Sequence, residues 1–112
     1  MKKDLVICGA RDDCDTLKDK LDSLYDFNIT KIISNALYYP LNFMRRHIKD
    51  SDILLVDVED FKMNTYAVIS FALAYDVEIV GYYKDTEDKL NLQLARACDC
   101  LKHIDNLEEY FG

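Results

Sequence analysis

The sequence predicts one α/β domain: a three-layer, Rossmann-like (flavodoxin-like) sandwich in which helices flank a parallel sheet of four or five strands. Three observations indicate this fold class. Short apolar runs typical of buried strands alternate with stretches of helical spacing. The connections are long enough for right-handed crossovers between parallel strands. The chain of 112 residues is 50% hydrophobic, which fills one core but not two, so residues 1–112 are expected to form a single domain.

Four strands are predicted from short runs of apolar and β-branched residues at 5–8, 29–33, 52–58 and 77–82. The first run is continuously apolar and ends at Gly9, as a central strand buried on both faces does. The third run is the clearest of the four, because acidic residues bracket an apolar segment. We therefore expect the first and third strands to lie inside the sheet.

Helical spacing follows the first two strands. Residues 16–25 place leucines and a tyrosine on one stripe, and either Asp12 or Asp15 is positioned to cap this helix. A second helix is expected to open at Pro40, because the first turn of a helix tolerates proline. The apolar side of this second helix consists of Leu41, Met44 and Ile48.

The second half of the chain predicts three more helices. Residues 65–75 are almost uniformly apolar, with Asn64 or Thr65 as the cap. A helix that is apolar all round is packed on both sides, so we expect it to face the sheet on one side and another subunit on the other. Leucine, alanine and cysteine spacing across 90–101 predicts a fourth helix, and Asp105 is expected to cap a last short one.

Charge and composition argue against several classes of partner. The formal net charge is −7, and no Lys/Arg cluster is longer than Arg45-Arg46, so nucleic acid and anionic membranes are not expected partners. The apolar runs are far shorter than the ~20 residues that span a bilayer, and the first residues lack a hydrophobic signal region. A cytoplasmic protein is expected.

The four cysteines are expected to remain reduced and to pack as small hydrophobic residues. Cys98 and Cys100 form a C-x-C pair with no second pair to complete a metal site. His47 and His103 both fall in or near amphipathic helices and are interpreted as surface residues. The sequence therefore predicts neither a metal site nor a cofactor.

The expected ligand site lies at the carboxyl edge of the sheet, since parallel sheets bind ligands where the strand order reverses. One loop at this edge contains Gly9, Arg11 and Asp12. Gly9 suits a tight strand end, and the N-terminus of the following helix favours an anion that Arg11 could hold. The alternative is that Arg11 pairs with a neighbouring aspartate and that Gly9 serves only the turn.

A second loop carries three carboxylates within four residues, Asp57, Glu59 and Asp60. Such a group can hydrogen-bond sugar hydroxyls or transfer a proton if one pKa is raised, which makes Asp57 and Asp60 the candidate catalytic residues. The alternative is that these carboxylates solvate the loop and cap the next helix.

Eight tyrosines are many for a small domain. One of them, such as Tyr38 in the loop after the second strand, would suit stacking against a nucleobase. The alternative for each tyrosine is ordinary packing with its hydroxyl at the surface or in a subunit contact.

The segment from Ser51 to Tyr83 resembles the core of the nucleoside 2-deoxyribosyltransferase family. It reads S-D-I-L-L-V-D-V-E-D, then N-T-Y-A-V-I-S-F-A-L-A-Y-D-V-E-I-V-G-Y-Y. The resemblance places Asn64 and Thr65 on the Gly-Thr that opens a helix in the family. It also relates Asn91 to a late asparagine that usually contributes to a neighbouring subunit's site.

The sequence departs from that family at the residue that matters most for catalysis. The nucleophilic glutamate of the family falls on Val68, and its Gly-Lys-Pro falls on residues 76–78. Without a carboxylate at position 68, the usual covalent sugar intermediate cannot form. The resemblance therefore implies the fold and a nucleoside ligand, but speaks against the standard transferase activity.

The N-terminal third resembles the SLOG group of nucleotide-binding Rossmann-like domains, through I-C-G-A-R-D-D and I-I-S-N-A. This resemblance implies that Arg11 and Asn35 lie at a nucleotide site. Asn35 and Leu37 stand where the group has phosphate-cradling glycines.

Three functions follow as expectations. The first is a nucleoside- or nucleotide-binding module without the usual nucleophile. The second is an enzyme that acts on an N-glycosidic bond with Asp57 or Asp60. The third is a homo-oligomeric interaction protein with a vestigial site.

Overall fold

The computed structural model describes residues 2–23, 26–59, 62–85 and 90–111. They form a five-stranded, all-parallel sheet with the strand order β2-β1-β3-β4-β5. The strands are β1 (Lys3–Gly9), β2 (Phe27–Ser34), β3 (Ile53–Asp57), β4 (Glu78–Tyr83) and β5 (Cys100–His103). The helices are α1 (Arg11–Asp22), α2 (Leu41–Lys49), α3 (Met63–Ala74), α4 (Leu92–Arg96) and α5 (Glu108–Phe111). The predicted flavodoxin-like α/β sandwich is confirmed.

The three inner strands, β1, β3 and β4, are largely buried and carry apolar residues on both faces of the sheet. In β1, Val6 and Cys8 join the cluster beneath α2, α3 and α4, whereas Leu5 and Ile7 join the cluster beneath α1 and α5. All four are fully buried. This alternation is why the first strand reads as continuously apolar.

The strand order determines where a ligand site is expected. The chain runs from β1 to β2 on one side and then returns to β3 on the other side of β1. The helices that follow β1 and β3 therefore pack on opposite faces of the sheet, and at such a point of a parallel sheet a ligand site is expected at the carboxyl edge.

The predicted helix caps are wrong. Helix α1 starts at Arg11, with extended Ala10 before it and no side-chain cap, so neither Asp12 nor Asp15 caps it. Helix α3 starts after Lys62, also without a side-chain cap. Asn64 and Thr65 lie within its first turn. At α3, the helix begins at Met63, one residue before Asn64, and the Asn64 side chain instead donates from Nδ2 to two carbonyls of the loop after β2.

The predicted fourth helix is too long. Helix α4 ends at Arg96, and the residues from Cys100 onward form the edge strand β5. Asp99 makes this change of direction, because its N–H donates to the Ile79 carbonyl at 2.8 Å and its carboxylate accepts from the Ile79 N–H at 2.8 Å. The apolar spacing around Leu101 fits either period, so the sequence could not distinguish helix from strand here.

Two smaller predictions also need correction. Leu41 is 63% exposed, so the buried side of α2 consists of Met44 and Ile48 without it. The turn after β5 is capped by His103, whose ring nitrogen accepts from the Asp105 N–H at 3.1 Å. None of the helices in the described part of the chain is long and apolar enough to cross a membrane.

Candidate functional site

Two open depressions flank the loop of residues 34–37 at the carboxyl edge of the sheet. The basic depression, about 430 Å³, is lined by Ala10, Arg11, Ser34, Asn35, Ala36, Leu37 and Lys62. The apolar depression, about 480 Å³, is lined by Asn35, Ala36, Leu37, Tyr38, Tyr39, Leu41, Met44, Met63 and Asn64. Because both share residues 35–37, one ligand could contact both.

The loop between the depressions is held from three sides. The Asn64 amide donates to the carbonyls of Ser34 and Leu37, at 2.9 and 2.6 Å. The Asn35 N–H donates to the Gly9 carbonyl at 3.0 Å. The Tyr39 hydroxyl accepts from the Ser34 N–H at 3.2 Å. These bonds tie the loop to β1 and α3, so the walls of both depressions are preorganised.

Two helix N-termini meet at the basic depression. Ala10 precedes α1 and Lys62 precedes α3, and neither helix has a side-chain cap. The first N–H groups of an uncapped helix carry partial positive charge and bind anions. The first turn of α3 contains no acidic residue, and exposed Arg11 and Lys62 add two full positive charges. The first turn of α1 also carries Asp12 and Asp13, of which Asp13 is paired with Lys84. Arg11 and Lys62 therefore bring two cations to this corner of a protein of net charge −7.

Asn35 adds an unused donor at the same place. It is only 5% exposed, and its side-chain amide nitrogen has no hydrogen-bond partner among the residues that the structure describes. The buried hydroxyl of Thr65, behind the first turn of α3, is likewise unpartnered there. A buried donor without a partner costs stability, typically ~1–3 kcal/mol. A ligand acceptor at Asn35 would recover that energy.

The carboxylates at the centre of the edge are closed off. Asp57 is 1% exposed and accepts from the Glu59 N–H at 2.9 Å. Tyr82 is fully buried, and its hydroxyl lies so close to Gly9 that a Cβ on that residue would overlap it. The same hydroxyl donates to the Asp13 carboxylate at 3.3 Å. The Tyr82 hydroxyl therefore closes over Gly9, next to Asp57, whose Cβ lies 3.6 Å from where a Cβ on Gly9 would be.

Asp13 links this closed region to the surface. Its carboxylate accepts from Tyr82 and lies 3.0 Å from the Lys84 ammonium. The hydrogen bond with Asp13 raises the pKa of Lys84. Glu59 accepts from the backbone N–H groups of Lys84 and Asp85 and so fixes the loop after β4. These contacts keep the central acids paired with protein groups.

The thiols and the phenol near this cluster are held in their neutral forms. Burial, followed by the charge of Asp13, raises the pKa of Cys14 to about 11. Burial likewise raises the pKa of Cys8, and burial with the charges of Asp57 and Asp13 raises that of Tyr82. A protonated thiol is a poor nucleophile and a poor metal ligand. These residues are therefore expected to be poor nucleophiles and poor metal ligands at neutral pH.

The predicted site residues fall into two groups. Arg11, Asn35, Tyr38 and Asn64 line the depressions. The others do not: Gly9 and Asp57 lie under Tyr82, Asp12 is exposed on α1, and Thr65 is buried behind Asn64. Asn91 caps α4, where its side chain accepts from the N–H groups of Gln93 and Leu94. Asp60 lies outside the described residues.

Sequence reasoning missed Lys62 and Tyr82. Lys62 could have been found as the residue just before the apolar helix, where a helix N-terminus and a cation add their fields. Strand alternation indicates which face Tyr82 points to, but no sequence signal shows which residue its hydroxyl covers. Between residues 2 and 111, the described portions contain no group of three or more His, Cys, Asp or Glu that could hold a metal.

No family model matches the chain, and no curated protein matches it. Among solved structures, it is similar to the signal receiver domain of a modulated diguanylate cyclase from Desulfovibrio desulfuricans G20. The TM-score is 0.71 with 16% identity, over 97% of this chain and 90% of that one. The signal receiver domain of a Luxo repressor protein from Vibrio parahaemolyticus gives 0.63 and 10%, over 98% and 87%.

A third similar structure belongs to a larger enzyme. The apo-form glycosyltransferase GlyE of Streptococcus pneumoniae TIGR4 has a TM-score of 0.63 and 11% identity, and this chain spans 98% of itself but only 31% of GlyE. At such identities, the similarities establish the five-stranded parallel fold alone.

Proposed function

We propose that the protein is a nucleotide-binding module that holds the phosphate of its ligand in the basic depression and the base in the apolar one. The observation that carries the proposal is the meeting of two uncapped helix N-termini beside Arg11 and Lys62. Phosphate is a ligand that such a place favours, because backbone N–H groups and cations together offset its charge.

The apolar depression supports the base-binding part of the proposal. Tyr38 is 89% exposed at its rim, and Leu37, Leu41 and Met63 are also largely exposed there. An exposed tyrosine ring next to aliphatic walls offers a stacking surface for a planar base. The resemblance of the N-terminal third to SLOG nucleotide-binding domains favours the same ligand class.

Binding is favoured over catalysis for two reasons. Asp57 is covered by Tyr82, so a substrate cannot reach its carboxylate in this arrangement. Val68, which stands where the deoxyribosyltransferases have their nucleophile, is fully buried in the apolar core beneath α3. We therefore expect no base exchange when the protein is incubated with a deoxynucleoside and a second free base, as followed by chromatography.

The decisive experiment is a binding titration of the purified chain with nucleoside monophosphates and the matching nucleosides. Nucleotides should raise the melting temperature, and Arg11→Ala should weaken their binding about tenfold or more, the worth of one charged hydrogen bond. Arg96→Ala is the matched control, since Arg96 is exposed on α4 and lines neither depression. The proposal fails if no nucleotide binds at about 1 mM, or if both variants bind like the wild type.

A second candidate function is a receiver-type domain that relays a signal to a protein partner. The favouring observation is that two signal receiver domains match nearly the full length of this chain. Intact-mass measurement after incubation with a small phosphodonor would distinguish the two functions. A phosphoryl adduct on the chain would favour the receiver, whereas an unmodified chain that binds nucleotide would favour the module.

We also propose that the protein is located in the cytosol. All four cysteines are free and are buried or half-buried, as expected for a protein kept in a reducing compartment.

A further inference from the structure

The outward side of α3 is an exposed apolar strip. It consists of Met63, Tyr66, Ser70 and Leu73, which share one side of the helix because their spacing follows the helical repeat. This set is called the α3 strip below. Met63 is 85% exposed, Leu73 59% and Tyr66 36%. Helix α3 contains no charged residue from end to end.

In the described part of the chain, Met63 and Leu73 of the α3 strip are largely uncovered, whereas Tyr66 is partly covered. The opposite side of α3 packs Val68, Ile69 and Ala72 into the core, and α2 lies against its flank. Tyr66 reaches α4 through a hydrogen bond from its hydroxyl to the Gln93 carboxamide at 2.9 Å. Leu92, 66% exposed at the start of α4, extends the apolar surface.

We propose that a second copy of this chain covers the α3 strip, with the two α3 helices packed antiparallel about a twofold axis between Tyr66 and Ser70. In that register Met63 opposes the partner subunit's Leu73, and Tyr66 opposes the partner subunit's Ser70. A twofold interface repeats each contact, so both sides of the strip are filled by the same pairs. The small serine leaves room for the tyrosine ring.

Charge complementarity selects a second copy and this orientation. Exposed Lys62 lies immediately before α3, and exposed Asp76 lies just after it. Antiparallel packing brings Lys62 near the partner subunit's Asp76 at both ends of the interface and opposes the two helix dipoles. Parallel packing would instead place like charges together. An unrelated apolar partner would gain nothing from this arrangement.

The size of the surface sets the expected affinity. The α3 strip with Leu92 offers a few hundred Å² per subunit, below the ~800 Å² per partner of a standard stable complex. A reversible dimer with a dissociation constant in the micromolar range is therefore expected, rather than an obligate one. The inference rests on the α3 strip and not on the proposed function. Because Met63 also lines the apolar depression and Lys62 the basic one, a nucleotide and the second copy would compete for these side chains, so the dimer is measured without ligand.

Sedimentation equilibrium of the full chain from about 1 to about 200 μM tests the proposal. The wild type should shift from monomer to dimer, and Leu73→Glu should raise the dissociation constant by about tenfold or more, because it places a charge in the apolar contact. Thr16→Glu is the matched control, since it adds the same charge at an exposed position of α1, which packs on the opposite face of the sheet. A wild-type monomer at every concentration, or a dimer that Leu73→Glu leaves intact, overturns the proposal.

Cysteine cross-linking tests the register independently of any loss of stability. Mixing Met63→Cys chains with Leu73→Cys chains under mild oxidation should give a disulfide-linked heterodimer. Each variant alone should not cross-link above the wild-type background, because like positions lie about 15 Å apart along the paired axes. Preferential cross-linking of Met63→Cys to itself would overturn the antiparallel arrangement.

Discussion

Tyr82 decides what the centre of the carboxyl edge can do. Its hydroxyl lies against Gly9, beside the buried Asp57, and donates to Asp13, so these groups are closed to a ligand. Gly9 is thus required for a close approach, with the missing Cβ leaving space for the hydroxyl. The two depressions remain open because they lie beside the loop of residues 34–37, off this closed centre.

The contact between Gly9 and Tyr82 can be tested by a double-mutant cycle. Gly9→Ala should destabilise the protein by about 1–3 kcal/mol, because the added methyl group overlaps a buried hydroxyl on a rigid ring. Tyr82→Phe removes that hydroxyl and should cost about 1 kcal/mol through the lost bond to Asp13. In the double variant, the loss in free energy of unfolding should be smaller than the sum of the two single losses, as measured by urea denaturation. Simple additivity would show that the two groups do not touch.

At the level of helices and loops, Asn64 has more influence than its position suggests. It lies in the first turn of α3 and holds the loop after β2 through two hydrogen bonds. The sequence shows Asn64 before an apolar helix, where an N-cap is the usual interpretation. The actual role depends on a loop 27 to 30 residues away, which local spacing cannot reveal. Long-range contacts of this kind also explain the missed β5.

Loss of the Asn64 amide should loosen the wall that separates the two depressions. We expect Asn64→Ala to lower the free energy of unfolding by about 2 kcal/mol, because it breaks two bonds and leaves two carbonyls unpaired. Asn42→Ala is the matched control, since Asn42 is exposed on α2. Urea denaturation monitored by circular dichroism measures both variants. Equal stabilities would mean that the loop keeps its place without Asn64.

The fold taken as a unit was largely predictable. Alternating strands and helices predicted the parallel sheet, and parallel strands predicted a site at their carboxyl ends. Four predicted ligand residues do line the depressions: Arg11, Asn35, Tyr38 and Asn64. The burial of the Asp57 carboxylate was not predictable, because the ring that covers it comes from Tyr82 on β4. That strand begins about twenty residues after Asp57 and meets it only through pairing in the sheet.

Stability should fall in alkaline solution. Burial raises the pKa of Cys14 from its ordinary value of 9.0 to about 11, and also raises the pKa of Cys8. These thiols stay protonated in the folded protein when the unfolded chain has already lost its protons. Their contribution is therefore complete below about pH 9 and is lost as the pH rises toward the folded values, at about 1.4 kcal/mol per pH unit for each thiol.

Urea denaturation at several values from about pH 8 to about pH 10.5 measures this slope. Cys14→Ala should lower the stability at every pH but reduce the slope by the share of one thiol. Stability that is constant across this range, or an unchanged slope in Cys14→Ala, would contradict the assigned thiol environment.

The interior position of β1 has a consequence for synthesis. This strand is synthesised before the other strands of the sheet, yet it pairs with β2 on one edge and with β3 on the other. Until β3 has left the ribosome, β1 therefore exposes aliphatic side chains and a row of unpaired backbone N–H and C=O groups along one edge. Newborn chains at that stage are the ones that chaperones should capture, and a translational pause before β3 should raise aggregation more than a pause after it.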